Sequence, residues 1–249
     1  MQLGDALAVL RCARLRYALL RRSTLTVWLR ADPEDHWNRV VQQGDRRPMA
    51  DHPQAMAELR EMGVRTVPVV ARGRDYVFAQ ALEDVSRFVG REYRPTRLPP
   101  EVLMVKWLRV LCAAQRHVVQ FPRERLTERA TQGRERNIRD LACHVYQIAE
   151  ALLAAVEEGD PDLATRYNAP APKRLAAWWA SLPDKSCRQT VKTYYGERPL
   201  HELLERCTWH SAQHARQLIA VLERFGIAAD GPLTAQDYAG LPLPAGLWE

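Results

Sequence analysis

Closely spaced cysteines and long hydrophobic runs are both missing from this chain of 249 residues. Its five cysteines form no Cys-x-x-Cys pair: Cys12, Cys112, Cys143, Cys187 and Cys207. An odd and scattered set favours reduced thiols, which predicts a cytoplasmic protein. No apolar run approaches the roughly 20 residues that a membrane helix needs. Residues 3–20 contain an aspartate and three arginines, so we expect neither a secretory signal nor membrane association.

Lysine is scarce, with four residues in the chain, so arginine carries most of the positive charge behind the net +6. Much of the excess lies in residues 1–50, which hold nine arginines and five acidic residues. That segment has a net charge of +4, which leaves +2 for the rest of the chain. No stripe of basic and aromatic residues occurs in the predicted helices. The sequence therefore does not indicate a nucleic-acid-binding protein.

A proline-rich segment divides the chain into two parts. Residues 91–100 contain three prolines and three arginines. Since prolines stiffen a connection and stop the helix before it, this segment predicts a linker. A length of 249 residues also exceeds that of most single domains. We therefore predict an α+β protein with two domains, residues 1–90 and 101–249, joined by residues 91–100.

The strongest functional signal is a pair of histidines in the predicted helix 200–225. Apolar residues recur there at steps of three and four positions, which places them on one face of the helix. His210 and His214 lie in the middle of this face, and a spacing of four residues directs both side chains to one point. A divalent metal would occupy one lone pair of each buried ring. The pair alone is also compatible with two histidines that simply pack in the core.

A third histidine, His144, is the best candidate to complete a metal site. It lies beside the apolar face of the predicted helix 137–158, where it would reach a surface shared with another helix. His201 is predicted to point away, because it lies nine residues, or about 180° of helix rotation, before the first histidine of the pair. Cys207 is a candidate fourth ligand, although a small buried apolar side chain is the more common role. Asp140 is expected to be a partner of His144 or a surface acid.

The placement of His144 in one helix and of His210 and His214 in a later one resembles the DinB/YfiT-like superfamily of four-helix bundles. The resemblance covers residues 100–226 and is strongest in RDLACHVYQIAEALL and TWHSAQHARQLIAVL. It implies an all-α bundle whose three histidines bind a divalent metal, either zinc or nickel, or else iron or manganese. It also implies a transferase that joins glutathione or another low-molecular-weight thiol to a small electrophile. A metal-dependent hydrolase and a non-enzymatic module that binds metal or a small molecule are the alternatives.

Residues 51–90 resemble the second half of a glutaredoxin, which is a thioredoxin-fold protein. Thr66, Val67 and Pro68 match the Thr-Val-Pro segment of that family, and the resemblance implies that they bind a thiol such as glutathione. A glutaredoxin also carries Cys-x-x-Cys or Cys-x-x-Ser after its first strand, whereas Cys12 is the only upstream cysteine here. The resemblance therefore predicts a degenerate α/β domain that binds a thiol and performs no disulfide reduction.

The remaining patterns predict the elements around these residues. Strands are expected at 24–29, 64–71 and 75–79, and helices at 33–43, 52–63, 81–89, 101–121, 137–158, 173–182 and 186–195. His117 is predicted on the polar edge of its helix, and Trp178 and Trp179 are predicted in core or homodimer packing. Residues 231–249, which are proline-rich and apolar, are expected to cross the bundle as an extended strap.

Overall fold

The protein has mixed α and β structure, as the sequence predicts. The computed structural model describes the backbone of 25–28 and residues 61–64, 69–72, 74–78, 80–90, 93, 95–131, 136–161, 171–243 and 247. The chain divides into two compact units, one of residues 1–96 with residue 249 and one of residues 97–248. The helix predicted at 33–43 and most of that predicted at 52–63 lie outside the described residues.

The first unit contains a three-stranded antiparallel sheet followed by a helix. Its elements are β1 (Leu25–Trp28), β2 (Val69–Arg72), β3 (Asp75–Phe78) and α1 (Leu82–Phe88). β2 is the central strand, because Val70 lies opposite Val27 of β1 and opposite Val77 of β3. Val69 and Val70 are buried, as expected for β-branched residues in a central strand. β1, β3 and α1 match the predicted elements to within one residue at each end, whereas β2 begins at Val69, and Val64, the first residue of the predicted strand 64–71, is not in a strand.

The second unit is built on four helices. They are α2 (Pro100–Val119), α3 (Ile138–Leu153), α4 (Ala171–Ser181) and α5 (Leu200–Arg224), and α3 continues in a π-helical turn at Ala154–Glu158. α5 packs against both α2 and α3, and α3 also packs against α4. Large, fully buried apolar side chains form the core: Leu103, Met104, Trp107, Leu111, Ile138, Leu141, Leu152, Leu153, Leu175, Leu200 and Leu203. α5 is therefore the helix around which the others are arranged.

Local interactions fix the ends of the two helices that carry the candidate histidines. The Asn137 side chain caps α3, since its Oδ1 accepts a hydrogen bond from the backbone N–H of Asp140 at 2.8 Å. The π-helical turn that follows α3 ends at Gly159, whose φ is 71°. Gly226 ends α5 in the same way with a φ of 70°. Both glycines adopt the left-handed conformation that commonly terminates a helix, which explains why these ends match the prediction.

The helix predicted at residues 186–195 is wrong, because this segment contributes to a β-hairpin. β4 (Thr190–Thr193) pairs with β5 (Gly196–Pro199) across a two-residue turn, and alternate residues of β4 are buried. The Thr193 hydroxyl donates to the Gly196 carbonyl at 2.6 Å, and Gly196 has a φ of 111° that favours glycine. The prediction failed because periodicity does not separate a strand from a helix over so few residues.

His117 is fully buried, which corrects its predicted place on a polar edge. α2 buries a broader face than its apolar stripe predicts, because the chain after α5 folds back along it. Arg116 donates to the Gly231 carbonyl at 3.0 Å, and the Gln120 side chain donates to the Ala228 carbonyl at 2.8 Å. These contacts hold the returning chain beside the last turn of α2.

The carboxyl-terminal segment 231–249, expected as an extended strap, contains a short helix in its described part. This helix, α6 (Ala235–Tyr238), packs against α2. Asp237 forms an ion pair with Arg109 of α2 at 2.7 Å. Lys106, also on α2, donates to a backbone carbonyl of α6 at 2.7 Å. The described part of this segment therefore lies along α2 and contacts it through polar groups.

Candidate metal centre

Three histidines from two helices converge within the second unit. α3 supplies His144, and α5 supplies His210 and His214. The ring centroid of His144 lies 5.3 Å from that of His210 and 4.7 Å from that of His214, and the latter two are 4.9 Å apart. One potential ligand nitrogen from each ring lies within 4.8 Å of the others. The structure thus brings together the three residues that the sequence predicts as metal ligands.

A hydrogen-bonded contact between helices lies directly beside these histidines. The indole N–H of Trp107 on α2 donates to the Ser211 hydroxyl at 2.9 Å. The Ser211 hydroxyl donates in turn to the Val145 carbonyl on α3 at 3.3 Å. Ser211 follows His210 and Val145 follows His144 in the chain. The contact therefore sets the relative position of α3 and α5 at the point where their histidines meet.

Two glutamine side chains orient two of the three rings. Nδ1 of His214 lies 2.7 Å from Oε1 of Gln217, and Nδ1 of His144 lies 3.4 Å from Oε1 of Gln147. A carboxamide oxygen can only accept, so in each pair Nδ1 carries the hydrogen and Nε2 keeps the lone pair. Nε2 is therefore the atom of both rings that can bind a metal.

Sequence reasoning missed these glutamines, although the chain carries a signal for them. His-x-x-Gln occurs four times, at His117 and at each of the three candidate ligands His144, His210 and His214. Residues three positions apart on a helix are neighbours, so each glutamine can reach the ring before it. The three glutamines that follow the candidate ligands are buried: Gln147, Gln213 and Gln217. Two of these three amides contact the candidate ligand ring that precedes them, at His144 and His214.

The surroundings of His210 keep its ring neutral. Its pKa lies well below the ordinary value of histidine, mainly because the ring is buried. The His214 ring and the Arg206 guanidinium lower the pKa further, and His144 and Arg136 add to this effect. A neutral imidazole is the form that binds metal. The charged side chains named here are both basic, so the surroundings also favour an anionic ligand.

The donor set fits a divalent transition metal. An ion at the centre of the three nitrogens would lie at most about 2.8 Å from each, since 4.8 Å divided by √3 gives that radius, against 2.0–2.1 Å in a zinc–imidazole bond. Each nitrogen would have to move inward by less than about 1 Å, which small side-chain rotations achieve. Three protein ligands are also the number found in catalytic zinc sites, where a fourth position stays open. Imidazole accepts several transition metals, so the donor set does not select one of them.

Other residues considered as ligands lie apart from the three histidines. Nε2 of His201 lies 2.7 Å from the Leu98 carbonyl oxygen, which places this ring away from the group as predicted. Cys207 is buried, and desolvation raises the pKa of its thiol to about 11. A thiol of this kind stays protonated at neutral pH and packs as a small apolar side chain. Asp140 is exposed in the first turn of α3 and remains a surface acid.

The predicted thiol-binding residues Thr66, Val67 and Pro68 lie outside the described residues, as does Cys12. No cysteine occurs in the sequence between β1 and β2, that is, in residues 29–68. A dithiol or monothiol centre after β1 is therefore excluded by the sequence itself.

Trp178 lines a cavity of about 300 Å³ that is separate from the histidines. The cavity lies between the π-helical turn, α4 and β4, and its walls include Leu182, Val191 and Lys192. Trp178 is buried, while Trp179 is half-buried with the Lys185 ammonium 5.1 Å from its ring centroid. Both tryptophans are residues of α4, and neither belongs to the group of three histidines.

No protein-family model matches the chain, and comparison with curated proteins and with solved structures finds no similar protein. None of the described helices combines the length and the apolar character that a membrane span requires. The geometry of the three histidines and of the groups around them is therefore the basis for inferring a function.

Proposed function

We propose that the second unit binds one divalent metal through His144, His210 and His214 and transfers a thiol to a small electrophile. The observation that carries this proposal is the convergence of three imidazole rings from two packed helices, with one potential ligand nitrogen of each within 4.8 Å of the others. His214 is buried and the other two rings are half-buried, and ring nitrogens that are withdrawn from water need partners. Nickel or zinc is the proposed ion, with iron or manganese as further candidates, and the fold is proposed to be a DinB-like bundle.

The chemistry follows from the charge of the proposed site. A divalent ion held by three neutral ligands supplies a full positive charge that lowers the pKa of a thiol to near neutrality. Arg206 and Arg136 add positive charge around His210, which favours the thiolate further. In the reaction the thiol loses its proton to solvent, and its sulfur forms a bond to the electrophilic carbon. The leaving group departs with the electron pair of the bond that breaks.

The amino-terminal unit is proposed to recognise the thiol. The antiparallel order β1-β2-β3 followed by α1 supports a thioredoxin-like unit of the glutaredoxin type. In such a unit the backbone of Val67, flanked by Thr66 and Pro68, would pair with a peptide thiol such as glutathione. Because no cysteine lies between β1 and β2, the unit is proposed to bind the thiol without oxidising or reducing it.

The first experiment measures metal. Protein purified without an affinity tag or a chelator is expected to contain up to one divalent ion per chain by elemental analysis. His210→Ala and His214→Ala are expected to lose most of it, because two imidazoles do not hold the ion. His201→Ala is the matched control, since its ring contacts the Leu98 carbonyl. Equal metal contents in the wild type and in all three variants would contradict the proposed site.

The second experiment tests the reaction on cobalt-substituted protein. Glutathione, cysteine or another cellular thiol is expected to produce strong sulfur-to-metal charge-transfer bands, which oxygen and nitrogen ligands do not give. Halogenated compounds or epoxides are then expected to be consumed in a metal-dependent and thiol-dependent way. Turnover of esters or amides without a thiol would instead identify a hydrolase. Binding of metal with neither activity would identify a storage or sensing module.

A further inference from the structure

We propose that Gln217 and Gln147 are positioning residues that tune the metal centre by accepting hydrogen bonds without carrying charge. They fix His214 and His144 as Nε2 ligands and leave the bound ion its full positive charge. This inference rests on the proposed function, because it assumes that the three histidines hold an ion. Its first test, however, is made on the metal-free protein, so the two can fail separately.

The two histidine–glutamine pairs differ in their Nδ1–Oε1 distance, so we expect the two glutamines to orient their rings to different degrees. The distance from His214 Nδ1 to Gln217 Oε1 is 2.7 Å, typical of a strong N–H···O bond. The distance from His144 Nδ1 to Gln147 Oε1 is 3.4 Å, which is long for such a bond. Gln217 is 3% exposed and Gln147 is 7% exposed, so water competes little for either amide. Gln217 should therefore orient its ring more strongly than Gln147 does.

The choice of an amide has a chemical consequence. Metal-binding histidines usually donate their second ring N–H to a carboxylate, a backbone carbonyl or water, and a carboxylate raises the basicity of the ring. A carboxamide holds the same N–H in the same tautomer but adds no negative charge. The ion and its ligands then keep a total charge of +2, whereas a glutamate at position 217 would reduce it to +1. A higher charge binds thiolates and other anions more tightly and makes the ion a stronger Lewis acid.

The chain supplies its own matched control in Gln213. This glutamine follows His210 at the same spacing and is fully buried, but its Oε1 accepts a hydrogen bond from Arg216 at 3.0 Å. Replacing Gln213 by leucine removes a buried amide from the same helix. Gln213→Leu leaves the contact between His214 and Gln217 in place. This variant therefore measures the effect of losing a buried amide that does not contact a candidate ligand.

The first measurement is the tautomer of each ring in the metal-free protein, read from nitrogen-15 NMR of labelled histidine. His214 is expected to carry its hydrogen on Nδ1 in the wild type and in Gln213→Leu. In Gln217→Leu the Nε2–H form is expected to become populated, because the acceptor at Nδ1 is lost. A wild-type His214 with its hydrogen on Nε2, or a tautomer unchanged in Gln217→Leu, would overturn the inference whether or not the protein binds metal.

The second measurement is metal affinity, determined by competition with a chromophoric chelator. Loss of a group that orients a ligand ring typically lowers metal affinity about 10-fold to 100-fold. We expect a loss in this range for Gln217→Leu, a smaller one for Gln147→Leu and little change for Gln213→Leu. Equal losses in Gln217→Leu and Gln213→Leu would show that only packing matters, and that result would overturn the inference.

The third measurement uses Gln217→Glu, which keeps the size of the side chain and its ability to accept from Nδ1–H. Metal affinity is expected to recover to the wild-type level or above it, since the carboxylate attracts the cation. Thiocyanate, used as a probe anion for the cobalt-loaded protein, is expected to bind about 10-fold more weakly than to the wild type, because the charge falls by one. Unchanged thiocyanate binding in Gln217→Glu would refute the role of the neutral amide. A wild-type protein that binds no metal, yet has His214 in the Nδ1–H form, would refute the proposed function alone.

Discussion

The hydroxyl of Ser211 is expected to be the most important single polar group in the packing of α5. It accepts from the Trp107 indole at 2.9 Å and donates to the Val145 carbonyl at 3.3 Å, so it joins three helices. Ser211 and Trp107 are both fully buried. Ser211→Ala would remove one oxygen atom and leave the indole N–H in the core without this acceptor. No water can replace the hydroxyl there unless the core opens.

The size of the effect follows from the cost of an unsatisfied buried donor. Leaving an indole N–H without an acceptor costs about 1–3 kcal/mol, and the longer bond to Val145 adds little. We therefore expect Ser211→Ala to lower the free energy of unfolding by about 2 kcal/mol. For a unit of this size that corresponds to a fall in Tm of about 4–8 °C. Urea titration followed by circular dichroism measures the first quantity, and thermal unfolding measures the second.

Thr208 provides a control on the same helix. Its hydroxyl is also fully buried, but it donates at 2.7 Å to the Leu204 carbonyl one turn earlier within α5. Thr208→Val removes this hydroxyl without leaving a buried donor unpaired, so the expected loss is below about 1 kcal/mol. Ser211→Ala should also weaken metal binding, because Ser211 adjoins His210, whereas Thr208→Val should not.

A double-mutant cycle gives the decisive result. Trp107→Phe removes the indole N–H, so Ser211→Ala should cost less in that background than in the wild type. The coupling energy is expected to be about 1 kcal/mol or more, as for other residues in direct contact. If the two substitutions are additive, or if Ser211→Ala alone changes stability by less than about 0.5 kcal/mol, the contact does not hold the helices as inferred.

Three further predictions concern other parts of the chain. Arg206→Gln is expected to weaken binding of mercaptoacetate to the cobalt protein several-fold and that of mercaptoethanol less, because mercaptoacetate would bring a carboxylate as well as a thiolate near the positive charge that acts on His210. The protein should show no glutathione-dependent disulfide reductase activity, and an activity that Cys12→Ser abolishes would contradict the proposed role of the first unit. Burial, followed by the charge of Arg116, lowers the pKa of His117, so the unfolded chain takes up a proton more readily than the folded one. Stability measured by urea titration should therefore fall as the pH drops below about 6.5, and His117→Leu should reduce this dependence.

The convergence of the three histidines could be predicted because it depends on long, regular patterns. α5 runs for 25 residues with an apolar face of constant spacing, and its observed limits differ from the predicted ones by a single residue. Within such a helix the direction of each side chain is fixed by its position, so His210 and His214 had to point together. His144 required one more step, since its contact with them depends on the packing of α3 against α5. That step succeeded because the flank of an apolar stripe is where two helices meet.

Other features depend on packing that the sequence shows only weakly. The strands β4 and β5 have four residues each. Over so short a length, the alternation of apolar and polar residues does not distinguish a strand from a helix. His117 is buried by the returning carboxyl-terminal chain, a contact between residues more than one hundred positions apart. Gln147 and Gln217 look like ordinary polar residues of a helix surface until α3 and α5 are packed together. In each case the local pattern permits several outcomes, and distant parts of the chain decide among them.

The three histidines occupy positions where a helix that only packs would carry apolar residues. A helix that only had to pack would continue its apolar face through positions 210, 214 and 217, as it does at Leu203 and Leu218. The chain instead places imidazole and amide groups there, and each of these must find a partner away from bulk water. Ser211 and Gln217 meet part of that need through the Trp107 indole and the His214 ring. Natural sequences tolerate such local conflicts mainly where a function requires them, which supports the proposal that these positions form a metal site.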